Sequence, residues 1–236
     1  MPTIPPWASA NPLSGVMFAS FRPLPGRAAM PDVCCDLIWK REKLVLSGPQ
    51  SRGRPDTSTG EPIQLMNVDP LVARAWLGIP LQHLIDYDVP LEDLAPDMAG
   101  ALCEAFFSGA AAKLVRPVGP PPPDHRRVAA AAEALRAGRS VRDAARRTEL
   151  SVRQLERLFV DAYGLSPVRY RRILRFRRSV KALRAGETLA GAAASAGFAD
   201  QSHFSREVLD LMGHSPSLLL GHVAKLQDVV AKTRDY

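Results

Sequence analysis

The second half of this chain contains one unit twice. Ser140-Val-Arg-Asp-Ala-Ala-Arg-Arg-Thr-Glu-Leu-Ser-Val-Arg-Gln-Leu-Glu-Arg-Leu-Phe159 continues to Gly164-Leu-Ser-Pro167. Thr188-Leu-Ala-Gly-Ala-Ala-Ala-Ser-Ala-Gly-Phe-Ala-Asp-Gln-Ser-His-Phe-Ser-Arg-Glu-Val208 continues to Gly213-His-Ser-Pro216. The copies are offset by 48 residues before the internal turn and by 49 after it, so the second has one extra turn residue. Ala145 corresponds to Ala193, Leu155 to Phe204, Arg157 to Arg206 and Phe159 to Val208. Each copy reads as a short helix, a tight turn and a second helix. The small pairs Ala144-Ala145 and Ala192-Ala193 permit close helix approach. Leu155, Leu158 and Phe159 form one buried face, as Phe204, Val208 and Leu211 do in the second copy. A plain helical hairpin shares this pattern; two copies at fixed spacing point to paired helix-turn-helix units.

Local signals divide the region further. Helices are expected at Arg126–Ala137, Val141–Arg147, Val152–Ala162, Pro167–Leu183, Leu189–Ala196, Gln201–Leu211 and Pro216–Val230. Ser140, Ser151, Thr188 and Asp200 stand where N-caps belong, and Ser166-Pro167 and Ser215-Pro216 place a capping hydroxyl before a first-turn proline. Gly138, Gly164, Gly186 and Gly213 fall at helix ends. The helix joining the two units is about 25 Å long at 1.5 Å per residue. Successive major-groove faces of a duplex lie about 34 Å apart. A connector of that length, with the units it joins, suits two reading heads about one turn apart.

Charge separates the halves. Residues 1–124 hold 10 Lys+Arg against 13 Asp+Glu, whereas residues 125–236 hold 21 against 11. The basic half suits a polyanion, nucleic acid or an anionic surface. Between them, residues 117–123 contain five prolines, which favour an extended, semi-rigid spacer over 116–124. Before the spacer, strand-like runs at Ser14–Pro23, Asp32–Lys40, Leu44–Ser47 and Ile63–Val68 alternate with polar loops, notably Ser47–Glu61. Helical periodicity follows at Leu71–Leu77 and from Ala95 to Leu114. The expected architecture is an α+β domain over 1–115 and an all-α domain with two helix-turn-helix units over 125–236.

Gly197-Phe-Ala-Asp-Gln-Ser-His-Phe-Ser-Arg206 followed by Gly213-His-Ser-Pro216 resembles the C-terminal signature of AraC/XylS-type transcriptional regulators. Leu155-x-Arg157-x-Phe159 with Gly164-x-Ser-Pro167 is similar to the corresponding first half, and the resemblance covers roughly residues 126–220. Asp32–Trp39 and Gly78-Ile-Pro through Val89-Pro-Leu-Glu-Asp-Leu94 resemble the small N-terminal domain of one subgroup. The resemblance implies a sequence-specific DNA-binding regulator with two recognition helices in successive major grooves, modulated through the N-terminal domain. It implies double-stranded DNA as partner, with RNA polymerase, a small-molecule effector and a second copy of the chain as further partners. It places base reading on Arg153, Glu156 and Arg157. Arginine bonds guanine O6 and N7 together, and glutamate accepts from cytosine N4. The equivalent face of the second unit offers Gln201, Ser202, Ser205 and Arg206, suited to adenine edges or phosphate. Val208 stands where the family usually has an aromatic, and Leu209, Asp210 and Leu211 follow where basic residues are usual. Leu218-Leu219-Leu220 replaces a more polar stretch.

The joining helix carries Arg169, Arg171, Arg172, Arg175, Arg177, Arg178 and Lys181, with no carboxylate between 162 and 186. Mutual repulsion makes phosphate a natural partner, and Arg169, Arg171, Arg172, Arg175 and Arg178 are the expected contacts. Plainer readings stand beside these. Arg157 and Arg206 could fix the helix pair through a carboxylate, Glu156 could pair with a nearby arginine, and His203 reads as packed or capping. A ligand- or protein-binding module with a degenerate helix-turn-helix domain is one rival function, and an enzyme in which residues 1–115 do chemistry while the basic domain localises it is another.

Chemistry of other kinds is not indicated. No Gly-rich phosphate loop, His-Glu-x-x-His or Gly-x-Ser-x-Gly string occurs, and the histidines lack ligand spacing to the cysteines. Neither an enzyme, a cofactor nor a metal site is expected. Cys34-Cys35 reads as core, a redox sensor only if exposed with a lowered pKa. No apolar run approaches the roughly 18–20 residues of a membrane span. The N-terminus, MPTIPPWASANP, lacks a leader pattern, so no membrane partner and a cytoplasmic location are expected.

Overall fold

Alternation dictates the sheet. In the computed structural model, which describes residues 16–21, 28–40, 42–55, 63–108 and 123–221, strand β3 (Cys35–Lys40) buries Cys35 and Leu37. Its hairpin partner β4 (Lys43–Ser47) buries Leu44 and Leu46. Strand β1 (Val16–Phe21) pairs antiparallel with β6 (Ile63–Val68), β6 with β3, and β4 with the short β7 (Asp88–Pro90). The resulting order is β1-β6-β3-β4-β7.

The expected strand from Asp32 begins three residues later. Asp32 Oδ1 accepts the Cys34 N–H at 3.2 Å, a local bond that turns the chain before the ladder starts. The polar segment Ser47–Glu61 contains a two-residue strand β5 (Arg54–Pro55), which pairs with β2 (Ala28–Ala29); residues 56–62 lie outside the described residues.

Helix α1 (Pro70–Leu77) is capped by Asp69, whose carboxylate accepts from Leu71 N, and stops at Gly78 in the left-handed region. A 3-10 turn at Leu81–Leu84 and a single helical turn α2 (Leu91–Leu94) follow prolines and were not expected from periodicity, being too short to display one. Helix α3 (Pro96–Ser108) occupies the described part of the run expected at Ala95–Leu114. Cys35, Leu37, Leu46, Met66, Leu81, Leu102 and Phe106 join these elements in one core. Gly48 permits the contact between β4 and the 3-10 turn: a Cβ there would lie 1.8 Å from the Leu84 carbonyl oxygen.

The expected spacer falls on residues outside the description as far as residue 122. The next helix, α4 (Pro123–Arg136), opens three residues before the expected Arg126, because proline fits the first helical turn. Then come α5 (Val141–Arg147), α6 (Val152–Tyr163), α7 (Pro167–Arg184), α8 (Leu189–Ser195) and α9 (Gln201–Met212). Residues 216–221 are helical, and the remainder of the helix expected to Val230 lies outside the described residues. A second core forms from Val128, Leu135, Leu155, Phe159, Tyr170, Phe176, Phe204 and Leu211. Val33 belongs to this core, and Met30, Cys34, Leu71 and Ile85 pack against it, so the α+β unit is seated on the helical one.

Candidate nucleic-acid interface

The first unit is α5, a turn and α6. Ser140 Oγ accepts from Asp143 N at 3.1 Å, and Ser151 with Gln154 forms a reciprocal capping box, so both helices start at sequence-defined positions. Thr148, Glu149 and Leu150 make the turn: Leu150 N donates back to Ala145 O at 3.0 Å while Leu150 is buried. Glu149 adopts φ +56° there. The second unit repeats this backbone in α8, the turn and α9. Phe198 N donates to Ala193 O at 2.9 Å, and Gly197, the counterpart of Glu149, has φ +78°. The extra residue is Ala199, just before the Asp200 cap.

On α6, Leu155, Phe159, Ala162 and Tyr163 face inward. Phe159 stacks on Tyr163 at 4.5 Å, and both rings meet Tyr170 of α7 edge-on. Val152, Arg153, Glu156 and Arg157 are exposed on the opposite side. None of Arg153, Glu156 and Arg157 forms an ion pair among the described residues, so the alternative of a helix-fixing carboxylate for Arg157 has no support there. On α9, Gln201, Ser202 and Arg206 are exposed, and Arg206 likewise has no ion pair among the described residues. Ser205 is half-buried and donates to Gln201 O at 2.8 Å. His203 packs: its ring meets Phe198 edge-on at 5.5 Å, and Nδ1 accepts from Ala199 N at 3.5 Å.

The arginines of α7 divide into two sets. Arg171 and Arg178 form no ion pair among the described residues, whereas Arg169, Arg172 and Arg175 are held by α9. Arg172 donates Nε and Nη2 to the two oxygens of Glu207 (2.8 and 3.0 Å), and Nη2 also meets Asp210 Oδ2 at 2.6 Å. Arg169 donates Nη1 to that same oxygen at 2.7 Å, and Nε and Nη2 to the Ser51 carbonyl at 3.0 and 2.7 Å. Arg175 lies 3.6 Å from Glu207 and 4.2 Å above the Phe198 ring. Its hydrogen bond from Arg169 holds the Asp210 carboxyl below the usual carboxylate range. Three of the five arginines expected on phosphate are therefore internally paired in this structure. Arg177, outside that set, lies 3.9 Å from Asp32.

Two seams tie the α+β unit to these heads. Arg74 of α1 donates Nε to Asp161 of α6 at 3.1 Å, and Arg136 of α4 reaches Asp69 at 3.4 Å. Gly164, the left-handed cap of α6, lets Leu81 close in: a Cβ would stand 2.9 Å from the Leu81 carbonyl oxygen. At the other seam Gly53 N donates to Leu211 O at 2.6 Å, at the end of α9. A cavity of about 310 Å³ opens at the first seam, lined by Leu71, Val72, Ala129, Glu133, Arg136 and Tyr163 among others.

Residues 144–221 match the family model described as a helix-turn-helix domain. This region is an AraC-type helix-turn-helix domain. Domains of this type bind DNA in regulators of transcription. No curated protein matches the chain in sequence. Among solved structures, ToxT from Vibrio cholerae O395 aligns at 12% identity over 89% of this chain and 98% of its own, with a TM-score of 0.45. ToxT from the same strain bound to (E)-4-(8-methylnaphthalen-1-yl)but-3-enoic acid aligns at 14% identity over 89% and 99%, with a TM-score of 0.47. Unsaturated fatty acid bound wild-type ToxT from Vibrio cholerae strain SCE256 aligns at 14% identity over 87% and 94%, with a TM-score of 0.44.

The exposed faces of α6 and α9 follow from helical period, whereas the contacts of Glu207, Asp210 and Ser51 with α7 do not. One signal was available: at the 49-residue offset Asp210 is the counterpart of Asp161 and Glu207 of Leu158. Cys35 is buried and Cys34 half-buried, and burial pushes the Cys34 thiol up to about 12 and the Cys35 thiol up as well, away from the lowered pKa of a reactive thiol. No helix among the described residues is long and apolar enough to cross a membrane.

Proposed function

We propose that the chain binds specific DNA sequences by inserting α6 and α9 into successive major grooves of one duplex. Arg153, Glu156 and Arg157 would read bases in the first groove, and Gln201, Ser202, Ser205 and Arg206 in the second. Arg171 and Arg178, unpaired among the described residues, would meet phosphate. The observation that carries this reading is the α6 face: three groove-compatible side chains stand together in solvent without an internal ion pair. Helix α7, at 18 residues, spans about 27 Å, a length compatible with reading heads one turn apart.

Residues 1–115 and the helical residues from Pro123 onward are read as two units, the first acting as the regulatory one. Its two seams touch α6 and α9 separately, so a shift of the α+β unit would change the relation of the reading heads. The cavity between α1 and α4 is where a small-molecule effector would bear on the first seam.

Mobility shift or fluorescence anisotropy with genomic fragments tests the reading. Wild type should bind selected fragments, with affinity falling steeply between about 50 and 200 mM salt. Arg153→Ala and Arg157→Ala should each lose about 1–3 kcal/mol of specific affinity and relax preference at one base pair. No specific shift with any fragment would favour the degenerate module.

A further inference from the structure

The cluster between α7 and α9 contains three guanidiniums, Arg169, Arg172 and Arg175, and two carboxylates, Glu207 and Asp210. The carboxylates differ in one respect that decides their parts. The Glu207 side chain is 7% exposed and that of Asp210 is 52% exposed. Glu207 is enclosed beneath Arg172 and Arg175 and shielded from solvent. Asp210 stands in solvent one helical turn beyond Arg206, the i and i+4 relation that puts both on neighbouring ground of α9. It is therefore the carboxylate that a phosphate approaching Arg169 and Arg172 would have to displace.

We infer that Asp210 is a selectivity residue, an internal competitor that occupies Arg169 and Arg172 and so limits their grip on DNA phosphate. The inference rests on the DNA-binding reading above. Phosphate contacts supply affinity without sequence information, whereas base-edge contacts discriminate. Holding two arginines on Asp210 lowers the sequence-independent term of the second head and leaves discrimination to Gln201, Ser202 and Arg206. The first head has no such arrangement, because its counterpart Asp161 pairs with Arg74 of the α+β unit.

The test uses the full chain and a duplex of random sequence, with anisotropy titrations from about 50 to 200 mM salt. Asp210→Asn keeps shape and removes charge. It should bind this duplex more tightly, with the slope of log K against log salt steeper by about 0.9, one added phosphate contact. That slope makes the gain over wild type about threefold larger at 50 than at 200 mM salt. Preference for a selected site over random duplex should fall accordingly. Arg169→Gln in the otherwise wild-type chain should leave the slope unchanged, and it provides a second test if the Asn variant does not fold. Unchanged or weaker binding by a folded Asp210→Asn variant, or a slope shallower by about 0.9 for Arg169→Gln, overturns the inference while the DNA-binding reading stands. Absence of salt-dependent binding by the wild type overturns both.

Discussion

The two helix-turn-helix units share caps, turn geometry and the left-handed glycine that ends each second helix, yet the ground beneath those helices differs. Under α6 lies an aromatic cluster, Phe159, Tyr163 and Tyr170. Under α9 lie Val208, Leu211 and a buried carboxylate, Glu207, answered by arginines of α7. Position by position, Leu158 is replaced by Glu207, and Asp161 and Asp210 use the same place for different partners. The lesson is that the repeat conserves backbone chemistry while the side-chain contacts follow the neighbour. The first head leans on the α+β unit and the second on the joining helix.

The largest expected break of this comparison is Glu207→Ala. It leaves Arg172 with Asp210 alone and Arg175 without its carboxylate, and should destabilise by about 2–3 kcal/mol in chemical denaturation. Leu158→Ala, at the half-buried counterpart, should cost clearly less; equal losses would mean Glu207 is no anchor.

Next is DNA affinity. The double variant Arg153→Ala/Arg157→Ala should lose more specific affinity than Arg206→Ala, each side chain accounting for about 1–3 kcal/mol. Equal losses would show that the second head reads as strongly as the first.

The turns sharpen the comparison with opposite signs. Glu149→Gly relieves a left-handed backbone and should stabilise by about 1 kcal/mol, whereas Gly197→Ala should destabilise by a similar amount. Thermal unfolding of both variants measures the pair, and same-sign shifts would contradict the shared turn geometry.

The smallest effect belongs to Asp161→Asn. Its pair with Arg74 is partly solvated, 41% exposed on the aspartate side, and such pairs contribute about 0–1 kcal/mol. A larger loss would make the first seam more rigid than its contacts suggest.

Much of this architecture was legible in local chemistry. Ser140, Ser151, Ser166, Thr188 and Asp200 each cap the helix they announce, because capping depends on residues within three positions. The strands Lys43–Ser47 and Ile63–Val68 follow from alternation or apolar runs. The outward faces of α6 and α9 were legible too, since helical period sorts inward from outward residues. What escaped depends on distance along the chain. Arg172 and Glu207 are 35 residues apart, and Arg169 and Ser51 are 118 apart. No periodicity encodes such meetings, so Arg169, Arg172 and Arg175 looked like an unanswered basic run. The short turn at Leu81–Leu84 was hidden for a simpler reason, being shorter than the window in which helical period can be recognised.

Selection of bound duplexes from a random pool, followed by sequencing, tests the central claim most directly. Two reading helices on one connector predict two short conserved elements about 10–10.5 base pairs apart, centre to centre. Arg157→Ala should blur only one of them. A single element, or two at variable separation, would contradict the placement of α6 and α9 in successive grooves.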